Sequence, residues 1–166
     1  MNKIPKAVAL SMIMLSVLSM PGCSARTGET PANSQQSELP QSEAGLKQVR
    51  LSVRTAEATH GFVVEVAETA AQQAQGLMFR TEMAPDKGMI FPFASDRMAS
   101  FWMKNTVIPL DIIFIRRDGT IESIAAHTIP YSLDPVLSNE PVATVLEIAA
   151  GRAGELGIEP GDRVSW

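Results

Sequence analysis

The stretch SFWMKNTVIPLDIIFIRRDG, residues 100–119, decides the reading of the whole chain. Within it, Leu110, Ile112 and Phe114 alternate with Asp111, Ile113 and Ile115. A period of two puts neighbours on opposite faces of a strand. Both faces are largely apolar, so both are expected to be covered. Asp118-Gly119 predicts a two-residue turn with both central positions at positive φ, and Thr120–Ala126 the returning strand. Pro109 keeps Ile108 extended and holds the preceding residues out of a helix.

Asp111 breaks the apolar pattern. It shares a face with Ile113 and Ile115, so its carboxylate needs hydrogen-bond donors or a cation. Two readings stay open. Asp111 ties down the loop 104–109 through backbone N–H groups, or Lys104, Asn105 and Asp111 line a pocket rimmed by Trp102.

Outward on the N-terminal side lie regions of different character. Lys3 and Lys6 precede an uncharged apolar run, Ala7–Leu18, followed by Ser19-Met20-Pro21-Gly22-Cys23. Basic, then apolar, then small residues is the layout of an export signal, assigned to residues 1–22. The run is too short to span a bilayer, which takes about 20 residues. Cys23 is the chain's one cysteine, so it has no internal disulfide partner. Its setting resembles the lipobox of bacterial lipoproteins, which implies acylation of Cys23; cleavage after Ala25 is the competing reading. Residues 23–47 are rich in Ser, Gln, Glu, Thr and Pro and read as a disordered tether. The expected location is the periplasm or the outer face of a bacterial membrane, with the membrane itself a partner through Cys23.

Residues 48–166 fit one domain. Val49, Leu51 and Val53 mark a first strand, and Phe62, Val64 and Val66 a second. Thr69 with Gln72 forms a capping-box signal for a short helix that Gly76 ends. Residues 88–93 form a strand that Pro92 confines to an edge or an end. Residues 127–139 read as irregular, 142–149 as a strand, 150–156 as one or two helical turns, and 163–166 as the last strand. The predicted fold is mainly β: a compact single-domain barrel-like or folded-over antiparallel or mixed sheet with one or two short helices.

The motifs Gly76-Leu77-Met78-x-Arg80, Gly88-Met89-Ile90-Phe91-x-Phe93, Phe101-Trp102-Met103-Lys104-Asn105-Thr106-x-Ile108-Pro109-Leu110-Asp111-Ile112, Asp118-Gly119-x-Ile121, Leu146-Glu147 with Gly151, and Gly157-Ile158-x-x-Gly161-Asp162 resemble the family known as domain of unknown function 192. The resemblance covers nearly all of residues 61–166. It departs in Ile90, where Leu is common, and in Arg116-Arg117, where Asp often stands. It implies a compact β-rich fold, often behind an export signal, and implies no activity. Its motifs pick out Met78, Arg80, Trp102, Lys104, Asn105, Asp111 and Glu147.

Three functions compete on these residues. The leading one is a cell-envelope binding module for a small polar or anionic ligand or an envelope partner. Its ligand-binding residues would be Arg80, Trp102, Lys104, Asn105, Asp111 and Glu147, with Arg80 gripping a carboxylate or phosphate. Met78, Met83, Met89, Met98 and Met103 raise Cu(I) handling as an alternative. An Asp111–Glu147 pair raises acid–base catalysis. No nucleophile motif or nucleotide loop is present, so no catalytic residue, metal ligand or cofactor is nominated. With 14 basic against 18 acidic side chains and no basic run, nucleic acid is not an expected partner.

Overall fold

The computed structural model describes residues 39–166. The expectations for the export signal, for Cys23 and for most of the tether fall outside these residues. Residues 39–47 are held to the domain: Leu46 packs against the core, and the Lys47 carbonyl accepts the Val66 N–H at 2.9 Å.

In chain order the elements are β1 (Gln48–Arg54), β2 (Thr59–Val66), α1 (Ala70–Gln75), β3 (Lys87–Arg97), β4 (Ser100–Phe101), β5 (Leu110–Ile115), β6 (Ile121–Ala125), β7 (Val136–Leu137), β8 (Val142–Ala149), α2 (Arg152–Glu155) and β9 (Arg163–Ser165). Seven strands form one mixed sheet in the order β6-β5-β8-β3-β2-β1-β9. Among the described strands only the β2–β3 pairing is parallel; α1 makes the crossover. The sheet curls until its edges meet at one end. There Ile121 N–H donates to Asp162 O at 2.8 Å, and Val164 N–H to Gly119 O at 2.8 Å. The mainly β, barrel-like expectation holds. The short β4 and β7 pair with each other as a small second sheet, so residues 127–139 are not wholly irregular.

The period-two alternation sorts the side chains into two cores. The inner core takes residues from every strand of the large sheet, among them Leu51, Phe62, Ile90, Ile113, Ile121, Leu146 and Val164. The outer core, on the opposite face, takes Met89, Phe91, Leu110, Ile112, Phe114 and Val145, covered by Leu77, Ala99 and Met103 from the connections. Each fully buried side chain of this size contributes about 1.5–3 kcal/mol of transfer free energy. The fold thus rests on the two-faced apolar strand β5.

Two local expectations change in detail. The 116–119 turn closes with Gly119 N–H on Arg116 O at 2.9 Å, and of Asp118 and Gly119 only Gly119 has positive φ, +85°. The turn is therefore centred on Arg117 and Asp118, with Gly119 after it. A Cβ on Gly119 would strike the Val164 carbonyl, so glycine here also admits β9. Second, β3 is long and central. Pro92 is tolerated because the pairing with β2 ends at Ile90, leaving no partner on that side for the missing N–H. The helix α2 is a single turn, within the one or two expected, and is anchored by Asp111 as described below. The capping box on α1 forms as expected, with Gln72 N–H to Thr69 Oγ1 at 3.2 Å and Thr69 N–H to Gln72 Oε1 at 2.8 Å.

Candidate functional site

β8 points Leu146 and Ile148 into the inner core, so Glu147 between them must face outward. It stands beside Met89 of β3 and Ile112 of β5 in the sheet register. The covering segments do not close over it. Between the end of α1, the turn Gly76–Met78 and β4 a cleft of about 330 Å³ remains, and Glu147 lies among its lining residues. Its residue is only 5% exposed. Among the described residues no hydrogen bond or ion pair reaches its carboxyl. Burial pushes the group up to about 8, because a charge there would be stripped of water without compensation.

The walls of the cleft are aromatic. Phe91 and Phe101 meet edge to face with centroids 5.1 Å apart. Phe93 carries the Arg97 guanidinium 3.9 Å from its ring centroid. Trp102 is 51% exposed and carries the Lys104 ammonium 5.1 Å from its ring. Each ring face is negative and attracts a cation. Gly76, at φ +48°, brings the chain end of α1 against the Phe91 ring.

Asp111 is elsewhere. It is 0% exposed and points to the inner face. Its Oδ1 accepts the N–H groups of His127 at 2.9 Å and Gly151 at 3.0 Å, and its Oδ2 accepts that of Ala153 at 2.9 Å. The carboxyl thus satisfies donors that the ends of β6 and β8 and the first turn of α2 would leave bare. The expectation of a pocket residue is corrected: Asp111 is a tie. The segments it ties are 127 and 151–153, not the loop 104–109.

Arg80 is a second correction. Its Nη2 lies 2.5 Å from Oε2 of Glu65, an ion pair without an aligned hydrogen bond. Glu65 comes from β2, and the pair borders a different cleft, between residues 42–48 and 79–88. With its charge neutralised, Arg80 is not placed to grip an anion beside Trp102. Asn105 has φ +56°, which Asn tolerates, and its carbonyl accepts the Phe79 N–H at 2.9 Å. Its amide faces Met78 Sδ at 3.9 Å. Asn105 therefore shapes the loop beside the cleft.

Two bulky residues near the cleft adopt the left-handed conformation. Phe79 has φ +65° and is 65% exposed; Tyr131 has φ +62° and is 60% exposed. Tyr131 N–H bonds the carbonyl of Thr106, itself a cleft residue. Leu133 and Pro135 border an adjoining hollow beside Trp102.

Of the six nominated residues the structure brings Trp102 and Glu147 into one cleft, with Lys104 on the indole. Asn105 stands one layer back, and Arg80 and Asp111 lie apart. The nomination missed Phe91, Phe93, Arg97 and Phe101. The signal for them was present in Phe91-x-Phe93, a same-face pair on one strand, and in the adjacent Phe101-Trp102. The methionines are dispersed: Met89 and Met103 are buried in the outer core, Met98 is exposed, and Met103 Sδ accepts the Thr128 hydroxyl at 3.2 Å. Among the described residues no three His, Cys, Asp or Glu side chains group to hold a metal ion.

The family model DUF192, Uncharacterized ACR, matches residues 51–166. A protein of unknown function from Novosphingobium aromaticivorans has a similar solved structure, 45% identical, with a TM-score of 0.76 over 80% of this chain and 94% of that one. A protein from Sinorhizobium meliloti, proposed to be a transcription regulator, is 46% identical, with a TM-score of 0.71 over 72% of this chain and 94% of that one. No curated protein matches the chain.

Proposed function

This chain belongs to the DUF192 family, and we propose that it is a cell-envelope binding module that takes a small polar ligand in the cleft above Glu147. The observation that carries the reading is the Glu147 carboxyl itself. It is nine-tenths buried, lacks a partner among the described residues and borders a cleft open to solvent. Buried polar groups in native proteins find a partner, and a carboxyl that finds none in the described protein, at the wall of a cleft open to solvent, is left to water or to a ligand. The envelope part of the proposal is supported by the basic start, the apolar run and Cys23. An anionic ligand has less support than a neutral or cationic one, because Arg80 is spent on Glu65 and the cleft floor is an acid.

Transcription regulation, the role proposed for the Sinorhizobium protein, finds little support here in so far as it needs direct contact with nucleic acid. The net charge of this chain is −4, and Arg80, Arg116, Arg117 and Arg152 are engaged by acids.

Ligand screening by thermal shift, with Glu147→Gln and Trp102→Ala as controls, tests the site. One ligand class should raise the melting temperature of the wild type and lose that effect in both variants. A shift that survives both substitutions would place the ligand elsewhere. Incorporation of labelled fatty acid, abolished in Cys23→Ala, tests the anchor; a Cys23→Ala chain still labelled would refute it.

A further inference from the structure

We infer that the ligand of this cleft carries a primary ammonium group, and that the Glu147 carboxylate is its counter-ion. The inference rests on the reading of the cleft as a ligand site and names the chemistry of what it takes.

Two kinds of ligand group could satisfy a lone buried carboxyl: a neutral hydroxyl or amide, or a protonated amine. The walls decide between them. Phe91, Phe93, Phe101 and Trp102 present rings, and Met78 a thioether. A polyol needs several hydrogen-bond partners beyond one acid, and besides Gln75, Ser100 and the Trp102 indole N–H the lining offers few unused ones. The Gln73 amide N–H₂ is already committed to the carbonyls of Ala67 and Pro92 at 3.1 and 2.9 Å. The Thr106 hydroxyl is committed to the Lys104 carbonyl. An ammonium group needs one strong acceptor and otherwise prefers π-faces. The protein's own cations use these rings in that way, Arg97 on Phe93 and Lys104 on Trp102.

The charge arrangement around the acid agrees. β3 presents Met89 opposite Glu147 and β5 presents Ile112. The end of α1 and the turn after it contribute Gln73, Gln75 and Met78, and β4 contributes Ser100 and Phe101. Arg97 is the other ionisable residue of the lining, and its guanidinium is stacked on Phe93. Among the described residues the acid therefore has no cation in contact with it. A ligand ammonium converts the neutral acid to the carboxylate and expels its proton. With the group raised to about 8, binding at pH 7 releases close to one proton, roughly 0.9.

The test uses the full-length chain, nitrogen-15 labelled and purified in detergent, with ethanolamine and putrescine as amine probes and glycerol and glucose as neutral ones. The indole N–H of Trp102 reports the cleft, and that of Trp166 serves as an internal control. The amines should shift Trp102 alone. Calorimetry at pH 7 in two buffers of different ionisation enthalpy should show release of about one proton per amine bound. Glu147→Gln should weaken the amines at least tenfold and abolish the proton release. Neutral polyols shifting Trp102 while amines do not would overturn the ammonium inference and leave the cleft reading intact. Amine binding that survives Glu147→Gln, or that releases no proton, would likewise overturn it. Trp102 unmoved by any probe at saturating concentration would count against the cleft itself as well as the inference.

Discussion

Asp111 and Glu147 stand on adjacent strands and face opposite sides of one sheet. Asp111 is registered with Ile148, whose side chain is in the inner core, and Glu147 with Ile112, whose side chain is in the outer core. Residues directly opposite in an antiparallel pair share a face. One step of register thus separates the two acids by the thickness of the sheet. They cannot act together as an acid–base pair. Asp111 has three backbone donors, while Glu147 has open space and rings. The same carboxyl chemistry serves structure on one face and is left free on the other.

Asp111→Ala would strip the acceptor from three N–H groups at once. Each buried donor left bare costs about 1–3 kcal/mol, so a loss of roughly 3 kcal/mol or more is expected. Asp111→Asn keeps one oxygen for His127 and Gly151 but turns an amide N–H₂ toward the Ala153 N–H, donor against donor. Urea unfolding should show both variants strongly destabilised. Asp111→Asn at wild-type stability would show that the tie is not what holds these segments.

Glu147 makes stability fall as pH rises. Its folded value, about 8, lies above the ordinary glutamate value of 4.5, so folding favours the neutral acid. Below the unfolded value the group is protonated in both states and costs nothing. Through the interval up to the folded value the unfolded chain ionises first and gains on the folded one, and above it the whole penalty applies. Between pH 4 and pH 7 the group should cost roughly 3 kcal/mol. Glu147→Gln removes that dependence. The stability difference between variant and wild type should therefore grow in the variant's favour across this range; a difference flat with pH would contradict the buried, unpaired acid.

Arg80→Ala leaves Glu65 buried without its cation. Removing one partner of a buried pair costs about 3–5 kcal/mol, and the partial exposure of Arg80 lowers the expectation to roughly 2 kcal/mol. The variant should be less stable yet bind ligand in the Glu147 cleft as the wild type does. Selective loss of ligand binding in a stably folded Arg80→Ala protein would return Arg80 to the site.

Tyr131 holds a left-handed backbone that a bulky residue enters only at a cost of about 1–3 kcal/mol. Its side chain is exposed, so little packing opposes its removal. Tyr131→Gly should raise stability by about 1 kcal/mol in denaturant unfolding. A destabilised variant would show that the ring contributes more than its backbone costs.

Much of this fold was legible in the residues because its information is local. The alternation in β5, the Thr69–Gln72 capping box and the strands at 48–54 and 142–149 depend on neighbours a few positions apart. Pairing between distant strands does not. Nothing near Pro92 announces that the parallel partner stops at Ile90, so a central strand read as one at an edge or an end. Nothing near Arg80 announces Glu65, which a crossover helix separates from it. The site divided along the same line. Trp102 and Glu147 were visible through the family's motifs, but whether Glu147 shared a face with Asp111 hung on a one-residue register between β5 and β8.

The most direct measurement is a carbon-13 titration of the Glu147 carboxyl, read together with the Trp102 indole N–H. The account predicts a midpoint close to 8 for Glu147, with Trp102 moving at the same midpoint and Trp166 unaffected. A midpoint in the ordinary glutamate range near 4.5, or an indole that does not follow it, would mean that this acid is solvated or paired and that the cleft is not organised around it.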